Sequence, residues 1–263
     1  MRKSSFLYSL LFVLATYVAS AQVVGVVEYM KTPEYGGGNY EAVEKQLWLP
    51  MHQKLVNDKK ILYWALFKIP FPGGESAEYN YATVRMYANL EAAGYENNLS
   101  DLFKAVHPSK DFNVEGKKTL DSRDMVKSAR MSQWGQFFGD NNVRSKVLTV
   151  VYIKVKDGKT AEYKNVEKTM WEPMHKMEIA NGKRQGWQGW QQDMPWGSSQ
   201  PYNFIAVDFY KDWAQYTKVL PEADYLKATK GKTFTQIIAA TNEVESVYRT
   251  EEWHLVAETG PPQ

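Results

Sequence analysis

The chain has 263 residues, with 32 Lys and Arg against 30 Asp and Glu, no cysteine, and 14% aromatic residues that include nine Trp. The lack of cysteine excludes disulfides, thiolate zinc sites, cysteine nucleophiles and a lipid anchor on an N-terminal Cys. Near-balanced charge without clustered excess Lys or Arg excludes the electrostatic footprint of a nucleic-acid or anionic-membrane binder, and the aromatic content suits a core with an aromatic-lined pocket.

The first residues have the three parts of a secretory signal: Arg2 and Lys3, an apolar run from Phe6 to Val18, and small residues at Ala19, Ser20 and Ala21. The run is too short to cross a bilayer, which takes about 20 helical residues. The expectation is a signal peptide over 1–21, cleaved before Gln22, and a periplasmic or secreted protein without a membrane anchor. Loss of Arg2 and Lys3 with the leader leaves 30 basic against 30 acidic residues, a neutral mature chain.

An internal repeat organises the rest of the chain. At a spacing of 123, Trp48-Leu49-Pro50-Met51-His52 meets Trp171-Glu172-Pro173-Met174-His175, Trp64 meets Trp187, Pro72 and Gly74 meet Pro195 and Gly197, and Tyr87 meets Tyr210. Toward the end of each copy the spacing is read as 119, which pairs Arg130 with Arg249 and Trp134 with Trp253. The repeat divides the mature chain into units at 22–140 and 141–263.

Each unit reads in the same order. β-branched runs from Val23 to Met30 and from Val147 to Lys154 predict strands. A helix follows, on which Val43, Leu47, Trp48, Met51 and Leu55 form an apolar stripe. A second strand carries Trp64 or Trp187, and a third shows alternation from Asn80 to Tyr87. A helical stretch then runs from about Leu90 to Val106, matched by Trp213 to Leu226, before a strand through Arg130 and Trp134 or Arg249 and Trp253. The order βαββαβ is that of a ferredoxin-like unit, whose helices cover one face of the sheet and leave the other needing a partner. The predicted class is therefore α+β, with two tandem ferredoxin-like units whose sheets face each other as an intrachain dimeric α/β barrel.

On this element order, the duplication, and the phrase of Trp, Pro and His followed by Gly182-Lys183 and Trp187, the mature chain resembles the dimeric α/β barrel superfamily. Members include antibiotic-biosynthesis monooxygenase-like proteins, stress-responsive barrel proteins and haem-binding chlorite dismutase relatives. The resemblance implies the fold; the fold does not fix an activity.

Candidate site residues come from the repeat. Pro50 and Pro173 sit where proline breaks a helix, so a second, shorter helix is expected to start with proline in its first turn and to carry His52 or His175 near its positive end. Either His is a neutral base aimed into a pocket, or it packs on Trp48 or Trp171 four residues earlier. Nothing nearby supplies a second ligand at metal spacing, so neither a metal nor a cofactor is expected. Arg130 with Trp134, and Arg249 with Glu251 and Trp253, share a strand face. That face is expected to turn toward the opposite sheet, together with Tyr81, Arg85 and Tyr87 or Phe204, Asp208 and Tyr210.

Three functions are compatible with these residues. The first is binding of a small aromatic or amphipathic ligand in a cavity lined by Trp48, Trp64, Trp134, Trp171, Trp187, Trp253, Tyr87 and Tyr210. The second, implied by the monooxygenase-like barrels, is a cofactor-independent oxygenase or isomerase, with His52 or His175 as base and Arg130 or Arg249 holding an oxyanion. The third, implied by the chlorite dismutase relatives, is haem binding through His175.

Overall fold

The computed structural model describes residues 22–33, 36–71, 73–74, 77–94, 98–139 and 144–261; the expected leader and Pro72 lie outside them. Strand β1 (Val24–Lys31) leads through helix α1 (Gly37–Val43), a π-helical turn (Glu44–Trp48) and α2 (Leu49–Asn57) to strands β2 (Tyr63–Lys68) and β3 (Tyr81–Tyr87). Helices α3 (Leu90–Ala93), α4 (Leu99–Val106) and α5 (Phe112–Ser122) precede β4 (Asp124–Phe138). The second half repeats the order: β5 (Val147–Val155), α6 (Thr160–Val166), a π-helical turn (Glu167–Trp171), α7 (Glu172–Ala180), β6 (Gly186–Met194), β7 (Phe204–Tyr210), α8 (Trp213–Tyr216), α9 (Glu222–Ala228), α10 (Phe234–Val244) and β8 (Glu245–Glu258). The helical stretch expected from Leu90 to Val106 is thus two helices, and α5 and α10 are additional. Side chains of Asn98 and Asp111 cap α4 and α5, a signal that apolar periodicity overlooks.

All eight strands close one antiparallel barrel in the order β1-β3-β2-β8-β5-β7-β6-β4. The two four-stranded sheets do more than face each other: they join at both edges, β2 to β8 and β4 to β6. The joints are made by the two longest strands. β4, with 15 residues, pairs first with β1 and then with β6; β8, with 14, bridges β5 and β2 in the same way. Closure leaves no strand edge open to other chains.

Alternation along the strands gives the barrel two buried faces. Val27, Tyr29, Phe67, Ala82, Val150, Tyr152, Trp190, Ile205 and Trp253 fill the inside. Trp64, Leu66, Tyr81 and Tyr87 face the helices of the first half, and Ile153, Trp187 and Phe204 those of the second.

Register corrects two expectations. Val27 pairs with Ala129 and Tyr29 with Lys127, whereas Val150 pairs with Glu251 and Tyr152 with Arg249. The counterpart of Arg249 is therefore Lys127, and that of Trp253 is Met131, at a spacing of 122 rather than 119. A slip of three residues, an odd number, turns a strand over. Ala129 and Met131 point into the barrel, so Arg130 points outward, and Trp134 packs outside on Trp187, Tyr163 and Phe204. Arg249, Glu251 and Trp253 do share the inner face. Tyr81, Arg85, Tyr87, Phe204, Asp208 and Tyr210 lie on the helix side instead, because their strand neighbours Ala82, Val84, Met86, Ile205, Val207 and Phe209 occupy the interior.

Pro50 and Pro173 do not break their helices. Each stands in the first turn of α2 or α7, directly after the π-helical turn, and the preceding Trp48 and Trp171 keep helical dihedrals (φ −80°, ψ −40° and φ −81°, ψ −45°). Proline lacks an N–H and crowds the carbonyl four residues back. The wider i→i+5 turn relieves that crowding without ending the helix.

Candidate functional site

The π-helical turns set both histidines in the same surroundings. His52 stacks between Trp48 and Trp64, with ring centroids at 6.1 and 4.8 Å; His175 stacks between Trp171 and Trp187, both at 6.0 Å. The indole N–H of Trp48 donates to Thr119 Oγ1 at 3.1 Å, and that of Trp171 to Thr241 Oγ1 at 2.9 Å. Burial, aided by the charge of Arg85, lowers the pKa of His52 to about 3, and burial, aided by Arg184, lowers that of His175. Both imidazoles are neutral at physiological pH. An arrangement present twice is one the fold uses, and the packing role holds for both.

Beyond this shared sandwich the halves differ. In the first, a cleft of about 350 Å³ lies between the sheet and the helices, bounded by Trp48, His52, Trp64 and Tyr87 and by the polar side chains of Glu28, Glu44, Thr83, Arg85 and Arg123. Glu28 is ion-paired with Arg85 and accepts from Thr83 Oγ1 at 3.2 Å. Glu44, at the start of the π-helical turn, is buried. Its pKa is pushed up to about 7 by burial, which outweighs the opposing hydrogen bond of Tyr40 and charge of Arg123. His52 Nδ1 and Arg123 Nε are buried without a hydrogen-bond partner. Neutral imidazole, near-neutral acid and guanidinium therefore meet beside two indoles, where an amphipathic acid finds both a cation and an apolar wall.

The equivalent positions of the second half are Val151, Ala206 and Asp208 in place of Glu28, Thr83 and Arg85, and Glu245 in place of Arg123, while Glu44 recurs as buried Glu167. There Arg184 is ion-paired with both Asp208 and Glu178, and Glu178 also accepts from Tyr225 at 2.9 Å. Arg184, Asp208, Glu178 and Tyr225 are thus spent on one another, whereas Glu245 Oε2 is buried without a hydrogen-bond partner.

The sequence-predicted residues are thus distributed over several places. Trp48, His52, Trp64 and Tyr87 share the first cleft. Trp171 and His175 border a space beside α9 and α10, and Trp134 and Trp187 meet His175 on the other side of α7. Tyr210 packs on Tyr216 and beneath Arg184. Arg249 and Trp253 are inside the barrel, where fully buried Glu251 accepts from Tyr79 at 2.7 Å, Tyr152 at 2.9 Å and the Trp253 indole at 2.9 Å and pairs with Arg249 at 3.0 Å. Arg249 and His175 consequently lie on opposite faces of the barrel wall and share no cavity. Arg130 reaches the outer face of the first half opposite Val26, which in turn faces Arg85, but it does not border the cleft. Sequence reasoning missed Glu28, Glu44 and Arg123 and placed Arg85 on the wrong face. The repeat itself held a signal for two of them, since Glu28 falls on Val151 and Arg123 on a residue of opposite charge, Glu245, whereas Glu44 falls on the identical Glu167 and gave none.

Among the described residues no group of three or more His, Asp or Glu is placed to hold a metal ion, and no helix is long and apolar enough to cross a membrane. His175, which haem would require as its axial ligand, has both ring faces covered by indoles and Glu178 3.6 Å from Nδ1. These surroundings fit a packed histidine rather than a ligand presented to a macrocycle.

The fold is that of the dimeric α/β barrels. A candidate monooxygenase of Lactobacillus acidophilus NCFM is similar over 92% of this chain and 97% of that chain, with 10% identity and a TM-score of 0.56. A candidate monooxygenase of Fusobacterium nucleatum subsp. nucleatum ATCC 25586 is similar over 92% and 95%, with 13% identity and a TM-score of 0.53. An anthrone oxidase-like protein is similar at 10% identity, 91% and 92% coverage and a TM-score of 0.49. Identities this low speak of the fold alone. No family model matches the chain, and no curated protein matches it.

Proposed function

We propose that this is an exported binding protein, periplasmic or secreted, that takes a small amphipathic molecule with an aromatic or aliphatic body and an acidic head into the cleft of the first half. On this reading residues 1–21 are a cleaved leader, and 22–140 and 141–263 are two copies of a ferredoxin-like unit. The observation that carries it is the asymmetry of the halves. Residues repeated in both, the Trp–His–Trp stack and the proline, serve the common fold. Glu28, Thr83, Arg85 and Arg123 gather around an open space in the first half, a set that Val151, Ala206, Asp208 and Glu245 do not reproduce in the second, and the Nε of Arg123 is buried and unpaired. Glu44, which recurs as Glu167, joins them there. A carboxylate or enolate entering there gains a charge-assisted hydrogen bond, worth about 1.5–3 kcal/mol. The test is a melting-temperature and calorimetric screen of aromatic acids against the wild type and Arg123→Gln. Saturable binding that weakens about tenfold or more in the variant is expected. Acids that bind both proteins equally, or no acid that binds at all, would refute the reading.

A second reading at the same site rests on Glu44. A buried carboxyl poised at about 7 is a proton acceptor matched to neutral pH, as a cofactor-independent oxygenase or isomerase requires. Oxygen uptake or isomerisation of a bound acid, lost in Glu44→Gln while binding persists, would separate enzyme from binder.

A further inference from the structure

The barrel interior contains a space separate from the cleft. It measures about 280 Å³, and Val27, Val84, Val150, Ile205 and Val207 are among the side chains around it. Toward one end stand Tyr29 and Trp253, with the Glu251 cluster behind them. Toward the other, Tyr63, Met86 and Phe209 are only half-buried and form a mouth.

The hydroxyl and indole N–H groups on this wall are all in use. The Tyr29 hydroxyl bonds that of Tyr152 at 3.2 Å, Tyr63 donates to Glu258 at 2.6 Å, Trp190 to Gln188 at 3.3 Å and Trp253 to Glu251 at 2.9 Å. Water needs two to four polar partners to settle in a cavity, and beyond these groups the wall has only the side-chain amide of Gln188, whose Oε1 already accepts from Trp190. Nor does the repeated sequence fill the space. Where Leu148 stands in the second half the first has Gly25, and the Trp190 ring lies over it so closely that a Cβ there would come within 3.2 Å. The glycine fits the indole, and the indole forms one side of the space.

We infer that the barrel interior is a second binding site, for a compact neutral molecule of one or two hydrocarbon rings. The space is about twice the ~150 Å³ apolar cavity that takes up benzene. A charged ligand is excluded because nothing on the wall compensates a charge.

The test titrates the whole mature protein with naphthalene, with 2-naphthoate as the charged control, following tryptophan fluorescence and melting temperature. Naphthalene is expected to bind saturably and to raise the melting temperature, and 2-naphthoate is expected not to compete with it. Val207→Phe, which fills the space, should weaken naphthalene binding about tenfold or more, whereas Arg123→Gln in the cleft should leave it unchanged. Should Val207→Phe fail to fold, Val84→Phe replaces it, and xenon density in a crystal reads the same space in the wild type. No saturable binding, no effect of filling the barrel, or a loss confined to Arg123→Gln would each overturn the inference. The last outcome would leave the cleft reading standing.

Discussion

Replacing Glu44 by Gln tests whether the cleft contains an acid that titrates near neutrality. Glu44 is buried at the π-helical turn, and burial raises its pKa from 4.5 to about 7. A carboxyl whose pKa is higher folded than unfolded supports the fold fully below the unfolded value and loses that support as pH rises through the folded one. A rise from 4.5 to about 7 amounts to about 3 kcal/mol of stability, present at pH 4 and gone by pH 8. Gln stays neutral throughout, so Glu44→Gln should match the wild type at pH 4 apart from a constant offset and gain about 3 kcal/mol on it by pH 8. Urea unfolding of both proteins at pH 4, 5, 6, 7 and 8 gives the difference directly, and the titrations of His52 and His175 largely cancel because both proteins carry them. A difference that does not change with pH would mean that Arg123 keeps Glu44 ionised in the folded state. The proton-acceptor reading would then fail.

Three further outcomes are expected. His52 has a pKa lowered from 6.5 to about 3, so its contribution is intact above pH 6.5 and is lost as pH falls toward 3, by roughly 5 kcal/mol. His52→Phe, which keeps the stack on Trp64, should flatten this acid limb in urea unfolding between pH 7 and 4. Glu251→Leu leaves Arg249 with only the longer ion pair to Glu78 at 3.7 Å and takes the acceptor from Tyr79, Tyr152 and Trp253. It should cost about 3–5 kcal/mol, measured by chemical unfolding; a loss under about 1 kcal/mol would show that the cluster is incidental. Pro50→Ala and Pro173→Ala should lower the melting temperature, because a π-helical turn with no proline to accommodate relaxes toward α-helix and turns His52 or His175 away from its indoles. A clear rise for Pro173→Ala would show that the turn places nothing.

The repeat was legible because its markers are rare residues. Trp, Pro and His recurring at one spacing leave little room for chance, and with them came element order and fold class. Strand faces in β4 and β8 were not legible for a physical reason. In this barrel both faces of the sheet are buried, one under helices and one inside, so alternation shows that two faces exist without showing which points inward. Matching Arg130 to Arg249 by residue type then chose a register three residues out, and the error inverted the face. The cleft was half legible. Arg85 and Asp208 stood out as a pair of opposite sign, but their importance depends on lying beside Glu28 and Arg123, a proximity made by strand pairing and by the return of the chain after α5.

The charges around that cleft have a consequence for any acid that enters it. Glu28 and Arg85 neutralise each other, and Glu44 with a pKa of about 7 is largely protonated below that pH, which leaves the charge of Arg123 uncompensated. In the second half Glu245 stands where Arg123 does. Burial, reinforced by Glu245 and Asp208, raises the pKa of Glu167, and burial raises that of Glu245 to about 7. That half has acids to keep neutral and, among these positions, no cation to offer. In the first half an entering carboxylate would take Arg123 as its counter-ion and repel a charged Glu44, so binding would draw a proton onto Glu44. Affinity for an aromatic acid whose own pKa is far below 7 should therefore strengthen as pH falls from 8 to 6. Calorimetry in two buffers of different ionisation heat should show proton uptake near pH 7, and Glu44→Gln should abolish both effects. Affinity independent of pH across that range would mean that the acid does not meet Arg123 and Glu44 together.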